Sequence, residues 1–396
     1  MEAMTRAANA PPPATALRPD GRLDSDLWLD QPDALERITE RERAGELSAA
    51  QSANLRHFVE RGYLVFRPAI SDSLLAAIVS DLDRLWLEQP PYVAFAYHSL
   101  LTRFSGHDEG SRKPSCRIAD LHAFSDAALA LYLEPEIHAY VAWIFGEPAV
   151  ATQSLTFEWG SQQALHRDPI HVQMARPAHL LAAWIALEDI SPDCGPLVYV
   201  PGSHRLPYFQ FEPGRYVHDH QKDGVDGIRR AQAFDEERCR AAGLTLEPLT
   251  CKRGEVLIWH HSLLHGGSYP KDPALTRKSF VVHYSTRANM PQVRNTYLDP
   301  YLGAPGDEPA EMIYATTRLL GDERARGFAS PLAERFRAEA AAFYRERREL
   351  EREIVGLRGE GEALRQRIAA MEASRFWKLR DAWFAAKRAV GWTSGR

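Results

Sequence analysis

Apolar and polar positions alternate along the chain in three distinct rhythms. From Ser48 the spacing is helical: Ser48 and Gln51 form a capping-box pair, Leu55, Phe58 and Val59 follow on one side, and Gly62 supplies a stop. Tyr63 to Phe66 then reads as a short strand. A second helix is predicted over about Ser71 to Trp86, with Leu74, Leu75, Ile78, Leu82 and Leu85 along one side, and a third over about Asp126 to Phe145, stopped by Gly146. Between about 149 and 286 the apolar runs AVATQSLTF, HLLAAWIAL, LVYV, EVLIWH and SFVVHYS are short and strand-like, separated by the turn clusters SPDCGP, PGSH and HGGSYPKDP. That rhythm predicts a mainly β domain, a β-sandwich or jelly roll with the N-terminal helices as a cover on one face.

Residues 210–247 are polar and lack a period, which predicts a long insertion between strands. Beyond about 331 the rhythm changes again. Leu350, Ile354, Leu357, Gly361, Leu364, Ile368 and Met371 alternate by four and three, a short heptad seam interrupted at Gly361. Ser374 to Arg396 carries Arg375, Lys378, Arg380, Lys387, Arg388 and Arg396 against Asp381, interleaved with Phe376, Trp377, Trp383, Phe384 and Trp392. The expected organisation is a flexible leader over 1–25, a domain over 26–330 with its helical cover at about 48–145 and its β core at about 149–286, and a coiled-coil and basic aromatic tail over 331–396.

Composition narrows the function classes. The 396 residues carry 48 Lys plus Arg against 53 Asp plus Glu, a formal charge of −5, so nucleic acid is not expected as a partner. Cys116, Cys194, Cys239 and Cys251 show no C-x-x-C spacing and read as packing residues or inert thiols, in a reducing cytoplasm. The first residues lack the apolar core of a signal peptide, and the longest apolar stretch falls far short of the roughly 20 residues that span a bilayer.

His166-Arg167-Asp168 sets an imidazole and a carboxylate two residues apart, which on an extended strand points both to one face. About two His-x-acid triplets arise by chance at these frequencies, and His107-Asp108-Glu109 reads as such a coincidence. The signal grows with His265 after the strand EVLIWHH, because two histidines and one carboxylate are the facial set of non-haem Fe(II) oxygenases, which leaves positions open for cosubstrate and O2. Arg277, at the start of the strand RKSFVVHYS, offers a fork for a dicarboxylate. His260 and His261 are rival ligands expected to serve in the core or behind the ligands, and His171 and His204 read as loop or surface residues.

Taken together, FVERGYLVFRPAI, QSLTF ahead of ALHRDP, AAWIALEDISPDCGPLVYVPGSHR, and GEVLIWHHSLLHGGS with TRKSFVVHYS make residues 48 to 286 resemble the phytanoyl-CoA dioxygenase family of Fe(II)/2-oxoglutarate oxygenases. The resemblance implies a cupin-like double-stranded β-helix with iron on His166, Asp168 and His265 and 2-oxoglutarate salt-bridged by Arg277. It also implies cosubstrate-pocket roles for Trp184, Ser268 and Arg117, and a metal-facing Gln153. The activity implied is oxidative decarboxylation of 2-oxoglutarate to succinate and CO2, coupled through O2 to hydroxylation of a C–H bond. Related halogenases carry a small residue where Asp168 stands, so the carboxylate favours hydroxylation, with desaturation and ring chemistry left open.

The substrate is expected to be a small molecule whose fit is set by loops at about 86–115 and 205–247. MEASRFWKLRDAWFAAKRAVG is similar to tails of bacterial glycosyltransferases and other surface-polysaccharide enzymes, implying a glycan or lipid-linked intermediate. The tail is expected to serve self-association or peripheral contact with a membrane surface. Two rival readings remain: a non-catalytic jelly-roll scaffold, and a cupin-type metalloenzyme that does not use 2-oxoglutarate.

Overall fold

The computed structural model describes residues 17–88, 94–97, 104–105, 112–119, 121–123, 125–173, 176–219, 222–286, 289, 294–295 and 375–389, with scattered positions between 353 and 371. The chain divides into two compact units, Met1–Ala342 and Phe343–Arg396.

The first unit mixes helices with antiparallel sheets. Helices α1 (Ala34–Arg43) and α2 (Ala49–Arg61) lead into strand β1 (Tyr63–Phe66) and helix α3 (Asp72–Glu88). The start of α2 is the capping box expected: Gln51 N–H donates to Ser48 Oγ at 3.3 Å, and Ser48 N–H to Gln51 Oε1 at 2.8 Å. Gly62 ends the helix with φ at 83°.

Strands β2 (Ala94–Tyr97), β3 (Phe104–Ser105) and β4 (Cys116–Ala119) follow, in a stretch expected to be mostly loop. The single helix expected over 126–145 is two, α4 (Asp126–Tyr132) and α5 (Pro135–Phe145). Pro135 has no N–H to continue α4 and instead opens a new helix, capped by the Glu134 carboxylate accepting from Ile137 N–H at 3.0 Å.

The remaining strands are β5 (Ala149–Phe157), β6 (Val172–Gln173), β7 (Leu181–Ala186), β8 (Leu197–Tyr199), β9 (Glu247–Pro248), β10 (Val256–His260), β11 (His265–Gly267), β12 (Ser279–Thr286) and β13 (Arg294–Asn295). The main sheet runs β1-β10-β7-β12-β5-β4-β2-β3, and a small sheet runs β11-β8-β9. Period-2 alternation sorts the side chains between two cores. Ala183, Ile185, Ile258, Phe280 and Val282 pack with Leu55, Ile78, Leu82 and Val141 of the helices. Trp184, Leu257, Trp259 and Val281 pack on the other face with Leu197 and Tyr199 of the small sheet. The central strands are therefore buried on both faces, which explains their continuous apolar runs.

The expected aperiodic insertion contains an 18-residue helix, α6 (Gly224–Ala241). Its buried stripe is Gly227, Ala231, Asp235 and Cys239, every fourth residue, but none of these is a large aliphatic side chain. A hydrophobicity pattern passes over such a stripe.

In the second unit, the described positions of 353–371 are helical and α7 spans Arg375–Ala389. Leu357, Leu364, Ile368 and Met371 of the expected seam are each more than half exposed, and Leu350 and Ile354 lie outside the described residues. So do residues 1–16 of the leader and the triplet at 107–109. Among the described residues no helix is long and apolar enough to cross a membrane.

Candidate active site

His166 and His265 face each other across an isolated antiparallel bridge. His166 N–H donates to the His265 carbonyl at 2.9 Å, and His265 N–H to the His166 carbonyl at 3.1 Å. Such a reciprocal pair puts both side chains on one face. Gly266 and Gly267 allow the two segments to come this close. A Cβ on Gly266 would lie 2.7 Å from the Gln163 carbonyl oxygen, and one on Gly267 2.8 Å from the Gln162 nitrogen. The HGG run is a packing requirement.

Asp168 does not continue an extended strand as expected; it opens a 3-10 turn over Asp168–Ile170. The turn carries its carboxylate between the imidazoles, with Oδ1 3.9 Å from His166 Nε2 and 3.6 Å from His265 Nε2. Trp259 Nε1–H holds the other oxygen at 2.9 Å.

The protons are placed by the backbone. Nδ1 of His166 donates to the Ala164 carbonyl at 2.9 Å, and Nδ1 of His265 to the Leu263 carbonyl at 3.0 Å. A carbonyl only accepts, so in each neutral ring the lone pair sits on Nε2, beside Asp168. Burial, followed by the neighbouring His265 and His171 rings, holds the His166 pKa well below its ordinary value and keeps it neutral. Two imidazole nitrogens and a carboxylate oxygen within 4.8 Å of one another form a candidate metal-binding set.

The triad borders a cavity of about 80 Å³ that Arg277, Trp184 and Arg117 also line. Arg277 is 2% exposed, and its described polar contact is Nη1–H to the Gly195 carbonyl at 3.3 Å. Its Nε has no partner, and no carboxylate among the described residues pairs with it. Burial lowers its pKa to about 10. Gly160 makes room for the guanidinium, since a Cβ there would sit 3.1 Å from Arg277 Cζ. The Trp184 ring lies beneath it, 5.9 Å from Cζ. Arg117 donates to Gln163 Oε1 at 2.6 Å.

The other expected pocket residues lie elsewhere. Ser268 is outside the cavity lining, and its hydroxyl donates to the Pro196 carbonyl at 2.7 Å. Gln153 is buried in β5 opposite His283 but does not line the cavity. His171 is no surface residue: it is buried with its ring 5.6 Å from that of His166. Burial, with His260 beside it, lowers the pKa of His204 to about 3. All four cysteines are free, and burial raises the Cys251 thiol to about 12.

Trp259 and His283 line the cavity and were not among the expected residues. Arg277, Ser279, Val281 and His283 share one parity, so alternation counted onward from Arg277 would have found His283.

A second set, Asp30, His260 and His261, also brings two histidines and a carboxylate within 4.8 Å, beside a cavity of about 290 Å³. Here the hydrogen bonds run the other way. Ser262 N–H donates to His260 Nδ1 at 3.1 Å, so the ring proton is on Nε2, which donates to Asp30 at 3.0 Å. His260 thus uses both nitrogens within the protein and offers no lone pair to an ion.

The phytanoyl-CoA dioxygenase family model matches residues 58–271, more than half of the chain. The chain belongs to the phytanoyl-CoA dioxygenase family. It is thereby an oxygenase of the Fe(II)/2-oxoglutarate class, and the set on His166, Asp168 and His265 suits iron. The peroxisomal phytanoyl-CoA dioxygenase of Bos taurus is 25% identical over 244 residues, 58% of this chain and 67% of that protein. That of Mus musculus is 26% identical over 245 residues, with the same coverage of 58% and 67%. Among solved structures, the epimerase SnoN with Fe3+, alpha ketoglutarate and nogalamycin RO is 20% identical with a TM-score of 0.41, covering 64% of this chain and 84% of that one. EctD from S. alaskensis with 2-oxoglutarate and 5-hydroxyectoine is 21% identical with a TM-score of 0.42, covering 69% and 83%.

Proposed function

We propose that this chain is a hydroxylase in which His166, Asp168 and His265 hold Fe(II) and Arg277 binds the distal carboxylate of 2-oxoglutarate. The observation that carries the reading is Arg277, a buried cation with no carboxylate partner among the described residues, in the same cavity as the triad. An unpaired buried charge is costly, and a dicarboxylate cosubstrate supplies its counterion. The iron, when bound, supplies reduction of O2 coupled to decarboxylation of the keto acid to succinate and CO2, with one oxygen atom delivered to a substrate C–H.

The chain's own residues do the positioning. The Ala164 and Leu263 carbonyls fix the ring tautomers, Trp259 orients the Asp168 carboxylate, and Trp184 walls the cavity against water. Arg117 lies at the same cavity as a further contact for the cosubstrate. The two sheets that flank the site are read as a double-stranded β-helix. The substrate is a small molecule or a glycan or lipid-linked intermediate. Its contacts fall to the segments around the cavity mouth.

Residues 331–396 are proposed as an accessory tail. Exposed Leu379, Trp383 and Phe384, with Lys387 4.9 Å over the Trp383 ring, support contact with an anionic membrane surface. Sedimentation with anionic vesicles tests this, full-length chain binding and the chain truncated at 330 not binding.

The test of the chemistry is anaerobic titration with Fe(II) and then 2-oxoglutarate, following the weak visible charge-transfer band of a chelated keto acid. The band should appear in the parent and be absent in His166→Ala and Arg277→Ala. Fe(II) binding without any band would favour a cupin-type metalloenzyme, and absence of metal binding would favour the scaffold.

A further inference from the structure

Arg167 stands between two residues of the triad, yet its side chain serves neither. His166 and Asp168 point into the cavity, and Arg167, on extended backbone at φ −115° and ψ 137°, points away from it. Behind the site it is 1% exposed. Its Nη2–H donates to Asp235 Oδ1 of α6 at 2.8 Å, its Nη1–H to the Leu206 carbonyl at 3.0 Å, and its guanidinium lies 4.5 Å from the centre of the Tyr208 ring.

The flanking residues reach the same layer. Leu165, one before His166, and Leu264, one before His265, pack with Val200 and with Cys239, which lies four residues after Asp235 on α6. Each segment that presents a histidine forward thus packs from behind against Val200 and against Cys239 of α6.

We propose that Arg167 is a positioning residue: its buried pair with Asp235 fixes the 166–168 turn from behind and so sets the spacing of Asp168 from the two histidines. This rests on the triad being the iron site. The 18-residue α6 becomes part of the metal site's support, although none of its atoms belongs to the ligand set. The arrangement has a physical rationale. A carboxylate on a 3-10 turn has fewer ladder bonds to hold it than a residue within a strand, and a guanidinium anchored at two points, Asp235 and the Leu206 carbonyl, one residue away restores that rigidity.

The experiment compares Fe(II) affinity, measured by anaerobic calorimetry on metal-free protein, with the melting temperature of the same sample. Single variants leave a buried charge alone, so the main variant is Arg167→Met with Asp235→Leu, which removes both charges and puts apolar side chains in their place. The expected result is a folded protein whose Fe(II) affinity falls about 10- to 100-fold and whose keto-acid band shifts or broadens. Arg167→Lys, which keeps the charge and loses the fork, should fall between parent and double variant, and it carries the comparison if the double variant does not fold. A role in stability alone would lower the melting temperature and leave affinity and band unchanged, which would overturn the proposal. His166→Ala separates the two levels. If the parent binds Fe(II), His166→Ala does not and the double variant matches the parent, only the role of Arg167 fails; if the parent itself binds no Fe(II), the iron-site reading fails and this proposal with it.

Discussion

Two clusters of two histidines and one aspartate occur in this protein, on His166, Asp168 and His265 and on Asp30, His260 and His261. In composition and spread they are alike. They differ in which backbone group meets Nδ1. In the first, carbonyls accept from Nδ1, so both Nε2 lone pairs remain available beside the carboxylate. In the second, the Ser262 amide donates to His260 Nδ1 and turns its Nε2 into a donor that the carboxylate satisfies. Proximity of ligand-type residues is therefore a weak criterion for a metal site, and the direction of the hydrogen bonds behind the ring is a strong one.

The largest expected effect comes from breaking the first cluster. His166→Ala or His265→Ala should weaken Fe(II) binding by more than about 100-fold, whereas His260→Ala should leave one Fe(II) per chain at parent affinity, both read by anaerobic titration. A second Fe(II) lost with His260 would erase the distinction between the clusters. Next in size, Arg277→Ala should weaken 2-oxoglutarate binding by about 10- to 100-fold, from loss of a charge-assisted contact worth roughly 1.5–3 kcal/mol, while Fe(II) binding is unchanged. The Asp30 cluster should respond as structure. Asp30→Ala leaves the His260 N–H without its acceptor and should destabilise the fold by about 1–3 kcal/mol in denaturant melts without affecting metal affinity.

The effect that is smallest near neutral pH, and grows only in acid, concerns buried imidazoles outside both clusters. Burial lowers His122 and His138 to about 3. Below the unfolded value of about 6.5 the unfolded chain takes up protons that the folded one refuses, so stability is full above that pH and is lost as pH falls toward 3. Each should contribute a slope of about 1.4 kcal/mol per pH unit, and His138→Gln should flatten the acid limb of a stability-against-pH curve.

Much of this architecture was legible in the sequence because it is written in large apolar side chains. The runs around Trp184, Trp259 and Phe280 fall on β7, β10 and β12, and the spacing of Ser48, Gln51 and Gly62 marks both ends of α2. The helix α6 was not legible because Gly, Ala, Asp and Cys form its buried stripe, and the split at Pro135 was read through because the apolar period continues across it. At the candidate site, four residues, His166, Asp168, His265 and Arg277, were legible as metal or dicarboxylate chemistry, and the structure brings them to one cavity. The ring tautomers were not legible, since they depend on which main-chain atoms arrive behind each ring. Nor was the aim of Ser268, whose hydroxyl a neighbouring carbonyl captures.

The glycine pair at 266 and 267 has a kinetic corollary. Because main-chain bonds between His166 and His265 hold the two rings opposite each other, the jaws of the site exist before any ion arrives. Cycles of removal by a chelator and reloading with added Fe(II) should then be repeatable, at rates set by access through the cavity mouth, with the far-ultraviolet circular dichroism unchanged throughout. A side chain at either glycine would convert that simple exchange into a slow one gated by movement of the strands.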